Sequence, residues 1–100
     1  MTEPIPLPTL HEGALDDARL DALFEDIARE ARVIAVLVKG GAEALAEGGD
    51  VTLDAALAAL KAGGARAAQV RYVHRGVTWT DTVLRAPGGY RIVRMANDPA

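Results

Sequence analysis

The dipeptide Arg75-Gly76 separates two stretches of alternating side-chain character, and this constrains the fold more than any other feature of the chain. A two-residue break between alternating stretches is a hairpin signal. A turn there sets His74 opposite Val77, Tyr72 opposite Trp79 and Val70 opposite Asp81. Successive side chains of a strand point to opposite faces. One face therefore carries Ala68, Val70, Tyr72, His74, Val77, Trp79, Asp81 and Val83. The other carries Gln69, Arg71, Val73, Arg75, Thr78, Thr80 and Thr82. The first set is mostly apolar and belongs on a core, the second in water. A slip of one residue would exchange the two faces, so the register is strongly specified.

A second turn follows at Ala86-Pro87-Gly88-Gly89, with Pro and Gly where a type II turn wants them. It leads into a third strand over 90–96. With this four-residue loop, Arg94 falls opposite Asp81 on the inward face. An Asp81–Arg94 ion pair would then satisfy a carboxylate that cannot be buried alone. A loop of three or five residues would turn Arg94 outward and leave Asp81 to a backbone amide or to His74. Both registers are open from the sequence.

Upstream, Leu20, Leu23, Phe24, Ile27 and Ala31 recur at helical spacing and predict an amphipathic helix over 14–31. Asp16 and Asp17 lie in its first turn, where negative charge suits the helix dipole. The run Val33–Val38, apolar on both faces and stopped by Gly40-Gly41, predicts a strand covered on both sides or central in its sheet. Residues 42–47 suggest a helical turn or two. A second helix over 52–62, capped by Thr52 and ended by Gly63-Gly64, follows. Pro4, Pro6 and Pro8 alternate with Ile5 and Leu7, so residues 1–13 read as an irregular, Pro-rich arm. Residues 98–100 read as a tail. The expectation for 14–97 is a single α+β domain of order α-β-α-β-β-β. It has a four-stranded mixed sheet, a C-terminal antiparallel meander and helices packed on one face. The 39–66 connection would be a crossover that makes the first strand parallel to a meander strand.

Composition excludes several function classes. The chain of 100 residues has no cysteine and no serine, which removes thiolate sites, disulfides and Ser or Cys nucleophiles. The longest apolar run is six residues, far from the roughly 20 of a membrane span. The N-terminus carries acid rather than base and has no apolar core, so the expected location is cytoplasmic. The two histidines have no ligand spacing and the four Gly-Gly steps match no phosphate-cradling motif, so no metal, cofactor or catalytic residue is assigned.

Charge is uneven. Residues 1–60 hold four Lys/Arg and twelve Asp/Glu, net −8; residues 61–100 hold seven and two, net +5. This predicts an acidic helical layer over a sheet with basic rims at Arg71, Arg75, Arg85 and Arg91. The leading expectation is a small, non-catalytic interaction or accessory module. Its contact face is Arg71, Arg75, Thr78 and Thr80, and its partner is another protein or, as a homodimer, a second copy. The uncharged stripe Thr78, Thr80, Thr82, with Val73, Val93 and Met95 beside it, suits such pairing. The alternative is a ligand-binding or enzymatic domain for a small molecule. Its pocket would lie between the helices and the inner sheet face, near Tyr72, His74, Trp79, Asp81 and Arg94. Nucleic acid is disfavoured, because the aromatics fall on the core face and the pI is 5.2.

Overall fold

A computed structural model of the chain describes residues 10–40 and 51–97. The expectations for the proline-rich residues before Leu10, for 42–47 and for the tail at 98–100 lie outside the described residues. Along the chain run β1 (Leu10–Leu15), α1 (Asp17–Glu30), β2 (Arg32–Lys39), α2 (Leu53–Ala62), β3 (Ala67–His74), β4 (Val77–Ala86) and β5 (Gly89–Ala96). The strands form one five-stranded sheet in the order β1-β5-β4-β3-β2, and every pairing is antiparallel. The α+β class and the C-terminal meander hold. The four-stranded mixed sheet is corrected to five antiparallel strands.

Two elements account for the difference. Residues 10–15, expected as the end of the arm and the start of the helix, pair along β5 from Leu10↔Met95 to Leu15↔Tyr90. The helix consequently starts at Asp17, where the Asp16 carboxylate accepts from the Arg19 amide at 2.8 Å as N-cap. The second correction concerns β2. It pairs antiparallel with β3, and Lys39 lies opposite Ala67. The Arg66 amide donates to the Lys39 carbonyl at 3.0 Å, so the chain leaves β2 and returns to the same end of the sheet. The excursion through α2 is long enough for a crossover but does not make one. β2 is therefore an edge strand, with Ile34 and Leu37 exposed rather than covered.

Both helices pack on one sheet face. α1 buries Leu20, Phe24 and Ile27, and α2 buries Ala56, Ala59 and Leu60. These meet Val36, Ala68, Val70, Tyr72, Val83 and Tyr90, which all fall on the same side by register. α2 carries the expected cap, with Thr52 Oγ1 accepting from the Ala55 amide at 3.0 Å, and closes on Gly63 in the left-handed region. The Arg85 guanidinium donates to the Leu60 carbonyl and so fixes the α2 C-terminus to β4.

The Arg75-Gly76 turn has both residues at positive φ, 54° and 80°, which is the hairpin geometry that keeps the sheet's twist. Gly89 is required for another reason. A Cβ there would collide with the Leu15 carbonyl oxygen, where β1 seats against β5. Gly89→Ala should cost about 1–3 kcal/mol, the range for overpacking. For a domain of this size each kcal/mol lowers Tm by roughly 4–8 °C. A thermal melt indistinguishable from wild type would mean that β1 does not lie where it is placed.

Candidate functional site

The sheet offers two surfaces, and register assigns every expected site residue to one of them. On the helix-covered face, Asp81 sits between Val70 and Arg94 in neighbouring strands, which selects the register that pairs it with Arg94. Arg94 donates from Nε to Asp81 Oδ1 and from Nη2 to Oδ2, both at 2.9 Å, in a bidentate fork. The Tyr72 hydroxyl donates to Asp81 Oδ2 at 3.1 Å. Asp81 is fully buried, while the Arg94 side chain is 34% exposed. Burial, followed by the Asp81 charge, pushes the Tyr72 phenol well above its ordinary pKa, so it stays a donor. The hydrogen bonds that Arg94 donates to Asp81 raise its own pKa above the ordinary arginine value. Both carboxylate oxygens are thus engaged, and this ion pair is chemistry of the core.

His74 lies at the end of β3, near the hairpin turn and four rows from Asp81 in the β3–β4 ladder. It joins Tyr72 and Arg94 along an open groove of about 430 Å³, whose other wall is Leu23, Ile27, Ala31, Asp26 and Glu30 of α1 and its C-cap. Trp79 is partly buried against the core and does not line this groove. The structure therefore brings together Tyr72, Asp81 and Arg94, adds His74 at the groove, and leaves Trp79 beside it. Among the described residues, no group of three or more His, Asp or Glu side chains is placed to hold a metal. No described helix is long and apolar enough to cross a membrane.

The opposite face has no described helix over it. Its side chains lie in rows across the strands. Met95, Thr80, Arg71 and Ala35 form one row. Glu12, Val93, Thr82, Gln69 and Leu37 form the next. Ala14, Arg91, Leu84, Ala67 and Lys39 form a third. Thr78 continues the β4 column, with Val73 and Arg32 beside it. Arg71 is exposed, and Arg75 is exposed in the turn rather than on the flat face. Thr80 is only 8% exposed, and its hydroxyl donates to Asn97 Oδ1 at 3.1 Å. Gln69 Nε2 donates to Thr82 Oγ1 at 3.2 Å.

Four large apolar side chains are exposed among the described residues: Ile34, Leu37, Leu84 and Met95. Leu37, Leu84 and Met95 belong to the helix-free face by register, and Ile34 lies at the β2 bulge, where it has no partner in β3. By register Leu37, Leu84 and Met95 stand on three different strands, interspersed with Thr80, Thr82, Gln69 and Arg71. Sequence reasoning included Met95 and missed the other three. Leu84 could have been found by extending the Thr78-Thr80-Thr82 parity one step. Ile34 and Leu37 carried no such signal, because β2 is apolar at every position from 33 to 38. The charges divide by layer rather than by sequence half: Arg32 and Lys39 of the acidic half lie on the sheet's open face, whereas Arg85, expected there, turns to the helices. Among the described residues, α1 carries five carboxylates against two arginines, whereas the helix-free face carries Arg32, Lys39, Arg71 and Arg91 against Glu12.

No family model, no curated protein and no solved structure matches this chain. The two surfaces are therefore judged on their own chemistry. The groove offers one half-exposed guanidinium already neutralised by a buried carboxylate. The helix-free face offers uncharged threonines along its central strand, exposed apolar side chains on β2, β4 and β5, and Arg71 and Arg91 on the strands that flank the centre.

Proposed function

We propose that this chain is a small, non-catalytic interaction module that presents the helix-free face of its sheet to another protein surface. The observation that carries it is that Leu37, Leu84 and Met95 are all exposed on the one sheet face without a described helix. The threonines between them are uncharged, and the basic side chains around them would orient a partner more than bind it. Of the patch expected from the sequence, Arg71, Arg75, Thr78 and Thr80, the residues Arg71, Thr78 and Thr80 form one end of this surface and Arg75 lies in the adjoining turn.

A bait comparison tests the reading. Tagged wild type, the double variant Arg71→Glu/Leu84→Asp and the helix-side variant Glu25→Lys are compared in source-cell extract supplemented with untagged chain. Wild type and Glu25→Lys should retain the same stoichiometric protein, an untagged copy included. The double variant should retain at least about tenfold less, since a buried charge at the centre of a contact is worth more than 1.4 kcal/mol. Equal retention by all three would refute the assignment.

The groove beside Arg94 supports a second reading, a small-molecule site, because Arg94, Tyr72 and His74 converge on an open space instead of a filled interior. A fragment titration followed by NMR should then shift Leu23, Ile27 and His74 together. Fragments that perturb no resonance in that set would dispose of it.

A further inference from the structure

We propose that the partner on the helix-free face is a second copy of this chain, packed sheet on sheet about a twofold axis running along β4. This rests on the contact-surface reading above and names its occupant. The size is adequate. Five strands spaced ~4.8 Å apart and about eight residues long at ~3.3 Å each present roughly 600 Å². Two such faces bury about 1,200 Å², the lower end of specific interfaces.

The register grid makes the face complementary to itself. An axis along β4 sets β4 over β4, β5 over β3 and β1 over β2 of the other copy. Arg71 then lies over Met95, and Arg91 over Ala67. Glu12 lies over Leu37, one same-face step from Lys39. No charged residue of the face meets its own copy, and the one acidic residue meets the strand with the most base. A rotation of about 30° between aligned sheets leaves the β4 contacts in place and slides the outer strands by up to one same-face step.

The centre is also prepared for burial. Thr80 donates to Asn97 and Thr82 accepts from Gln69, so these two central hydroxyls already have a partner within the chain. Thr80 is nearly buried before any partner arrives, on a face where no described helix lies over it. An acidic heterologous partner would suit the basic margin but would gain nothing from this central pairing.

The test is the solution mass. Sedimentation velocity of the wild type should give twice 10.5 kDa at high micromolar concentration, dissociating on dilution. Thr82→Arg places two like charges on the axis and should weaken self-association at least a hundredfold. Glu25→Lys, on the helix side, should leave it unchanged. A wild type that stays at 10.5 kDa at every concentration overturns the proposal, as does a Thr82→Arg protein that associates like wild type. If Thr82→Arg does not fold, Thr82→Cys decides with a short bismaleimide, because the chain has no other cysteine. Crosslinking at that position and not in Glu25→Cys supports the pairing; equal yields refute it. A monomeric wild type whose bait double variant still loses a captured protein removes the self-pairing alone. A bait experiment with no face-dependent loss removes the contact surface as well.

Discussion

Arg94→Met should lose about 3–5 kcal/mol of folding stability, the cost of leaving a buried charge without its partner. Asp81 is fully buried, and its two oxygens accept from Arg94 at 2.9 Å and from Tyr72 at 3.1 Å. Without the guanidinium, only the Tyr72 hydroxyl faces the carboxylate. Domains of this size hold roughly 5–15 kcal/mol in total, so the variant should sit near the edge of folding. The double variant Asp81→Leu/Arg94→Met removes both charges and should recover most of the loss. About 1–3 kcal/mol stays missing, because the buried Tyr72 hydroxyl is then without its acceptor. Urea unfolding of the three proteins measures this directly. Equal midpoints for wild type and Arg94→Met would mean the pair is not a buried one.

The second large effect is a contrast between the two sheet faces. Leu20→Ala, on the face of α1 that packs on the sheet, should cost about 2.7–5 kcal/mol through lost transfer energy and the cavity left behind. Leu20 is fully buried, whereas Leu37 is 41% exposed on the helix-free side. Leu37→Ala, measured at dilutions where the chain is monomeric, should fall within about 0.5 kcal/mol of wild type. The same substitution should weaken self-association when the protein is concentrated. Comparable losses for Leu20→Ala and Leu37→Ala in the dilute monomer would mean that both faces are covered, and the surface assignment would fail.

Much of the fold was legible because the signals were local. Arg75-Gly76 supplies the turn chemistry, the alternation from Ala68 to Val83 supplies the faces, and together they place Tyr72 opposite Trp79 and Val70 opposite Asp81. Pro87-Gly88 carries the register forward to Arg94. What stayed hidden depends on contacts distant in the chain. β1 reads Leu-His-Glu-Gly-Ala-Leu, with no β-branched residue and a glycine in its middle, so its own propensity for a strand is low. It exists because β5, some eighty residues later, offers a ladder and Gly89 gives the Leu15 carbonyl room. β2 misled in the opposite sense. An apolar run suits a central strand, yet here half of that run faces away from the helices. The same residues make the candidate surface, so the misjudged strand and the missed part of the site have one cause.

Hydroxyl-radical footprinting of the side chains, at low and high protein concentration, tests the contact surface most directly. Oxidation at Met95, Leu84 and Leu37 should fall together on association, while exposed residues of α1 and α2 keep their reactivity. Unchanged reactivity at all three positions, or protection on the helices instead, would contradict the account.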